Sequence, residues 1–349
     1  MTATRGLDEP LPHGGDLAAA RRLFPGAREP FIDLSTGINP NPYPLPGLSP
    51  DLFARLPDPA KAGAVAAAAA RAYGAPSAAH VALAPGTQIL LPLVANLAPP
   101  GRAAIQAPTY PEFARAARLA GHAVNIVGSI EQCGGATLVI AANPNNPDGR
   151  LLRRADLLAL AVDLRRRNGL LVVDEAFMDV GPPGASLAAD VSCGNVVVLR
   201  SFGKFFGLAG VRLGFALAAP ALTARLCATL GPWAVSGPAL GIAEAALADT
   251  EWIERTRRRL AKAAARLDAI LARSGLDVLG GTDLFRLVQA PAANALFHHL
   301  GRAGIFVRAF PENASWLRFG LPASEREGLR LEHALASFLA GENAIATAR

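Results

Sequence analysis

From about residue 61 onward, short apolar runs alternate with longer stretches whose apolar positions recur at helical spacing. The runs are Val81–Ala84, Ala103–Gln106, Ala123–Val127, Leu138–Ala141, Leu170–Val173, Asn195–Leu199 and Val211–Ala216, with amphipathic patterns over 111–120 and 153–168. Strands separated by helices return in the same direction. The alternation therefore predicts an α/β unit with a mainly parallel sheet. After about residue 219 the pattern changes. A long Ala/Arg helix over 250–273, short strands near 276–279, 284–289, 305–308 and 316–319, and helices at 291–302 and 323–340 predict a smaller α+β unit. Residues 1–50 are rich in Pro and Gly around one apolar segment, Phe31-Ile32-Asp33-Leu34, and read as an extended arm that joins the smaller unit. The expected division is a large domain over 45–245 and a small one built from 1–44 and 246–349.

Composition narrows the function. Half the residues are apolar (51%) and 18% are charged, which suits a compact enzyme rather than a disordered chain. The net charge of +6 invites a nucleic-acid partner. However, the arginines are scattered apart from Arg165-Arg166-Arg167 and Arg257-Arg258-Arg259, both on helical patterns, where a solvated helix face explains them. No helix-turn-helix, RNA-recognition or zinc pattern accompanies them, so no nucleic acid is expected. A positive field also suits a site for small anions. Cys133, Cys193 and Cys227 are odd in number and widely spaced, and read as reduced and structural, with no metal. There is no basic segment followed by an apolar core at the N-terminus and no stretch long enough to cross a bilayer, so a cytoplasmic protein is expected. No Gly-x-Gly-x-x-Gly turn follows the first strand, which argues against a nicotinamide enzyme.

Basic side chains are overwhelmingly arginine; only three lysines remain, Lys61, Lys204 and Lys262. Lysine has one property arginine cannot supply: its amine can lose a proton and attack a carbonyl to form a Schiff base. Lys204 sits in Ser201-Phe202-Gly203-Lys204-Phe205-Phe206-Gly207, just after an apolar run.

Ligands of α/β sheets collect at the carboxyl ends of strands, and most of these strands end in a polar or glycine-rich turn. Val81–Ala84 runs into Pro85-Gly86-Thr87-Gln88, whose N–H groups can hold a phosphate; a simple helix cap explains that turn equally well. The next strand leads to Tyr110, one of three tyrosines, either packed at a helix start or placed to stack on a flat ring. Leu138–Ala141 ends in Asn143-Pro144-Asn145-Asn146, a turn in which Asn146 can donate its amide to a phenolic oxygen. Leu170–Val173 ends in Asp174-Glu175-Ala176-Phe177, and a carboxylate after four apolar residues is costly unless a cation faces it. A protonated pyridine nitrogen is such a cation. Ser201 and Arg212 can complete a phosphate cup, with Arg212 as a bidentate clamp.

Each feature alone is a turn or a cap. Their joint order resembles the fold-type I pyridoxal phosphate enzymes of the class I/II aminotransferase superfamily, over the whole chain. The resemblance implies the aspartate aminotransferase-like fold, a large α/β domain plus a smaller α+β domain, with pyridoxal 5'-phosphate as cofactor. It implies that Lys204 forms the Schiff base and Asp174 pairs with the pyridine nitrogen. Asn146 would bond the ring oxygen and Tyr110 stack on the ring, while Gly86, Thr87, Gln88, Ser201 and Arg212 hold the phosphate. In Trp316-Leu317-Arg318-Phe319-Gly320, Arg318 matches the arginine that binds the substrate carboxylate.

Two branches fit best, the threonine-phosphate decarboxylases of cobalamin biosynthesis and the histidinol-phosphate aminotransferases. The first is favoured by His13-Gly14-Gly15-Asp16 with Asp33-Leu34-Ser35-Thr36-Gly37-Ile38-Asn39-Pro40, by the Gly-Thr-Gln turn with the Ser-Phe-Gly-Lys block, and by Phe177. Aminotransferases usually carry a tyrosine at that last position. The resemblance implies decarboxylation of L-threonine O-3-phosphate to (R)-1-amino-2-propanol O-2-phosphate. His13, Asn39, Asn146 and Arg308 are the candidates for gripping the substrate beside Arg318. It also implies a homodimer, although Arg55-Leu56-Pro57 stands where relatives have Arg-Tyr-Pro, so the tyrosine that would reach a partner's cofactor phosphate is missing.

Overall fold

The computed structural model describes residues 13–347; residues 1–12 of the expected arm and residues 348–349 lie outside the described residues. The strands are β1 (Ile32–Leu34), β2 (Val81–Ala84), β3 (Arg102–Gln106), β4 (Ala123–Val127), β5 (Leu138–Ala142), β6 (Leu170–Asp174), β7 (Val196–Ser201), β8 (Gly214–Leu217), β9 (Asp277–Thr282), β10 (Phe285–Gln289), β11 (Ile305–Ala309) and β12 (Trp316–Gly320). They form two sheets in two compact units.

One unit comprises residues 42–146 and 150–254 among those described. Its seven-stranded sheet runs β2-β8-β7-β6-β5-β3-β4. All neighbouring pairs are parallel except the two made by β8, which is antiparallel to both β2 and β7. β2 therefore runs with the parallel set, and β2, β3, β5, β6 and β7 present their carboxyl ends on one edge. Every residue of β5 and β7 is buried, as continuous apolar strands require when both faces are covered. On one face Leu90, Phe113, Ile140, Val172 and Leu199 share a core with Leu226. The helix Pro59–Tyr73 begins with a cap, Asp58 accepting from the Ala60 N–H at 2.8 Å with proline at the first turn, and ends on Gly74.

The other unit comprises 13–41, 147–149 and 255–347 among those described. Its sheet runs β1-β11-β12-β10-β9, with β1 parallel to β11 and the rest antiparallel. The helices Ala293–Arg302 and Glu325–Thr347 pack here, and Leu296, Leu300, Leu331 and Leu335 are buried with Phe285, Val307 and Phe319.

Two expectations need correction. The arm is not simply extended: it contains the helix Leu17–Leu23, because Asp16 caps Leu17-Ala18-Ala19 by accepting from the Ala19 N–H at 2.8 Å. Its apolar segment is β1. The strand expected from Val211 begins instead at Gly214, because Ala209–Val211 closes a 3-10 turn and Arg212 takes a left-handed conformation (φ 55°), through which no strand can run. No helix among the described residues is long and apolar enough to cross a membrane.

The continuous apolar strands set the stability of the larger unit. Leu138 is wholly buried in β5. Leu138→Ala is expected to cost about 2–5 kcal/mol, read as a lower denaturant midpoint for loss of the sheet signal with the fold retained.

Candidate active site

The strand register assembles one edge of the larger unit. Ala84 pairs with Gly214 across β2 and β8, and Gly214 pairs with Ser201 across β8 and β7. Asp174 pairs with Leu199 on one side and with Ala142 on the other. Ser201, Asp174 and the Asn143–Asn146 turn, distant in sequence, therefore share the carboxyl edge.

At the start of this row the helix Thr87–Ala95 has Gly86 as its N-cap, with no side-chain capping bond. Gly86 thus caps the helix as a simple glycine cap, and because no side chain takes the first N–H groups, they and the helix dipole suit an anion. The turn is tight. Gly86 has φ 89°, and a Cβ there would stand 2.6 Å from Arg212 Nη2; a Cβ on Gly214 would stand 2.6 Å from the Thr87 nitrogen. Arg212 thus reaches the Gly86 turn from the far end of the 209–211 loop, donating from Nη1 to the Ala209 carbonyl at 3.2 Å. Gln88 contributes more than its backbone. Its amide donates to Glu112 Oε2 at 2.9 Å and accepts from the Tyr110 hydroxyl at 3.0 Å, while the Tyr110 ring meets Phe113 edge-on.

Asp174 closes β6. The Ala176 N–H donates to its Oδ1 at 3.0 Å. Burial pushes its carboxyl up to about 6, against that bond and the charge of Lys204, both of which favour the ionised form. Lys204 Nζ lies 5.8 Å from the centre of the buried Phe177 ring, so the amine stands over a face with no hydroxyl. Asn146 is half-buried at the end of its turn, which is fixed from within: Asn143 Oδ1 accepts from the Leu152 N–H at 2.9 Å, and Asn145 donates to the Pro108 carbonyl and accepts from Thr109.

Sequence reasoning missed a buried ion network behind Asp174. Arg200 donates to Glu175 Oε2 at 3.2 Å and to Asp179 Oδ1 at 2.9 Å, with side chains 5%, 0% and 6% exposed. Burial works against the Arg200 charge, but Asp179 and Glu175 outweigh it and its pKa is raised. The signal in the sequence was an arginine inside an otherwise apolar strand.

The substrate candidates other than Asn146 lie in the smaller unit. Arg308 and Arg318 are direct register partners on β11 and β12. Arg318 is buried, donates from Nη2 to the Ser35 carbonyl at 2.9 Å and lies 5.1 Å from the Phe285 ring centre. Burial and the nearby Arg308 push it down to about 9, so it stays charged at neutral pH. Ser35 Oγ accepts from the Gly15 N–H at 2.8 Å, which brings the exposed His13 segment to the same place. Asn39 is buried, its side-chain oxygen accepting from the Asn41 N–H at 3.0 Å.

The residues present fit a flat, phosphorylated aldehyde: uncapped helix N–H groups with Arg212 and Ser201 for its phosphate, Asp174 for a protonated ring nitrogen, and Lys204 for the carbonyl. No group of acidic, His or Cys side chains that could hold a metal occurs among the described residues. Fold and site together define an α/β enzyme built around a carbonyl cofactor. Residues 49–337 match the aminotransferase class I and II family, and the chain belongs to that family. It is 42% identical to a threonine-phosphate decarboxylase of Pseudomonas aeruginosa over 94% of this chain and 98% of that one. It is 43% identical to another from a Sinorhizobium species, over 95% and 99%. Its fold is that of the pyridoxal phosphate-dependent transferases. A histidinol-phosphate aminotransferase from Sinorhizobium meliloti, solved in complex with pyridoxal-5'-phosphate, superposes with a TM-score of 0.78 over 97% of this chain and 99% of that one, at 24% identity.

The Asp174 environment has a pH consequence. A folded pKa near 6, above the ordinary carboxyl value of 3.8, means that its contribution to stability is complete below about 3.8 and lost as pH rises through 6. The loss is about 3 kcal/mol by linkage. Cofactor-free Asp174→Asn is therefore expected to melt higher than the wild type at pH 7.5, with the difference vanishing near pH 4 in thermal unfolding.

Proposed function

We propose that the chain is a pyridoxal phosphate-dependent carboxy-lyase that converts L-threonine O-3-phosphate to (R)-1-amino-2-propanol O-2-phosphate and carbon dioxide, a step of cobalamin biosynthesis. The observation that carries this reading is the register pairing of Arg308 with Arg318. The register sets two guanidinium groups side by side, and a substrate bearing both a carboxylate and a phosphate offers an anion to each. Histidinol phosphate carries no carboxylate. The two relatives matched over nearly their full lengths, both threonine-phosphate decarboxylases, support the same choice.

The cofactor, when bound, supplies an electron sink for the pair left on Cα as a bond to it breaks. The chain's residues do the rest. Gly86, Thr87, Gln88, Ser201 and Arg212 bind the cofactor phosphate, Tyr110 covers the ring, and Asn146 donates to its oxygen. Asp174 Oδ holds the ring nitrogen protonated. Arg318 binds the α-carboxylate, and Arg308, with His13 and Asn39, binds the substrate phosphate. Holding both anionic ends would limit the rotation about Cα and so favour loss of one of its substituents. Lys204 Nζ carries the cofactor in the resting state and then delivers a proton to Cα as general acid.

The reading extends to a homodimer in the cytoplasm. Leu45, Phe53 and Leu56 are 64%, 68% and 68% exposed on one segment of the larger unit, apolar area of the kind a subunit interface covers. Leu56 gives that segment no hydroxyl for a cofactor phosphate. Cys133, Cys193 and Cys227 are unpaired, as suits a reducing compartment.

Purified protein supplied with pyridoxal phosphate is expected to show a visible band that borohydride bleaches, and Lys204→Ala to lack it. Carbon dioxide release from O-phosphothreonine is expected, without turnover of histidinol phosphate and 2-oxoglutarate; the reverse pattern would overturn the decarboxylase reading. Arg318→Leu is expected to lower kcat/KM for O-phosphothreonine roughly a hundredfold (~3 kcal/mol) while the visible band is retained.

A further inference from the structure

The ion network around Arg200 has no part in holding substrate or cofactor directly, and stability does not explain it. A buried guanidinium with two carboxylates gains little net energy, and apolar side chains of similar volume would serve stability as well. Its position is the informative property. Asp174 and Leu199 are register partners, so side-chain alternation puts Asp174, Leu199 and Ser201 on one face of the sheet and Arg200 on the other. There its Cζ lies 4.3 Å from the ring centre of Tyr73, itself packed on Phe215.

From that face Arg200 grips both ends of the turn that follows β6. Glu175 begins the turn, its N–H donating to the Leu199 carbonyl at 2.9 Å and its carboxylate accepting from Ser186 Oγ at 2.6 Å and the Leu187 N–H at 2.8 Å. Asp179 lies in the 3-10 turn Met178–Val180 that ends it. Between them sit Ala176, whose N–H holds the Asp174 carboxylate, and Phe177, over which Lys204 lies. Arg200 is also the residue before Ser201.

We propose that Arg200 is a positioning residue for the cofactor: by clamping Glu175 and Asp179 from the far face of the sheet, it fixes the 174–178 turn and with it the Asp174 carboxylate and Ser201 on the near face. This rests on the pyridoxal phosphate reading above. The charged groups that act on Asp174 are Lys204 and Arg200, which favour its ionised form, and Glu175, which opposes it; Asp179 and Tyr73 face Arg200. Loosening the clamp removes a bond and a cation that favour the carboxylate, and so weakens the hold on a protonated ring nitrogen most where Asp174 titrates.

The test is the dissociation constant of pyridoxal phosphate from pH 5 to 8, with the melting temperature of the cofactor-free protein, in three variants. Arg200→Lys keeps the charge and loses the fork. Arg200→Met/Glu175→Gln/Asp179→Asn removes all three charges together. Ser186→Ala removes one bond to Glu175 from a half-buried position and carries the test if the triple variant does not fold. Expected are at least tenfold weaker cofactor binding in the first two and about threefold in Ser186→Ala, with the pH midpoint of binding moved upward in Arg200→Lys and Ser186→Ala; in the triple variant, where the opposing charges of Glu175 and Arg200 leave together, the loss of affinity is the readout. A folded triple variant, or Ser186→Ala, that binds the cofactor within the error of the wild type and with the same pH midpoint overturns the proposal, whatever its melting temperature. A wild-type protein that binds no pyridoxal phosphate at any pH instead overturns the cofactor reading on which the proposal rests.

Discussion

A carboxylate at the end of a fully apolar strand organises the larger unit. Four buried residues, Leu170 to Val173, carry β6 through the sheet, and the fifth is Asp174. Taking that charge out of water is costly, and the structure meets the cost only in part, with one N–H from Ala176 and the nearby charges of Lys204 and Arg200. A carboxyl left near 6 is poised to gain from a cation that hydrogen-bonds it. The Asn143–Asn146 turn and Ser201 lie along the same edge, so the incompletely neutralised carboxylate is the point from which the proposed site is built.

The antiparallel strand β8 gives the edge its second property. Because it runs against its neighbours, its first residue rather than its last reaches the carboxyl edge, which brings Gly214 and the preceding Arg212 beside the Gly86 turn. Glycine is needed at both contacts: any side chain at 86 would displace the guanidinium, and any at 214 would meet backbone. Gly86, Thr87, Arg212 and Gly214, from segments more than a hundred residues apart, are thus brought together by strand direction rather than by a local loop.

The parts legible in the sequence were those with local causes. Continuous apolar runs placed the parallel strands to within a residue or two, and the polar residues at their ends, Asp174, Ser201 and the Asn143–Asn146 turn among them, lie on one edge of the sheet. The strand misread from Val211 starts later because Ala209–Val211 closes a 3-10 turn and Arg212 is left-handed, a conformation that an arginine in an apolar run does not announce. The arm was read as extended because its prolines and glycines outweighed one short Ala-rich segment with an aspartate cap. Arg200 in an apolar run was a signal for the Glu175–Arg200–Asp179 network, but its partners were not legible, nor were those of the Tyr110–Gln88–Glu112 chain, because each joins segments distant in sequence.

The smaller unit holds a charge arrangement of the same non-local kind. Arg308 and Arg318 stand opposite one another because β11 pairs with β12, and Arg318 is buried and anchored on the Ser35 carbonyl. Burial and the like charge of Arg308 push Arg318 down, and Asp33 opposes them, so that at about 9 it keeps its charge at neutral pH. A buried cation at a fixed point is thus set by strand order, and its pairing with Arg308 could not be placed from its neighbours in sequence alone.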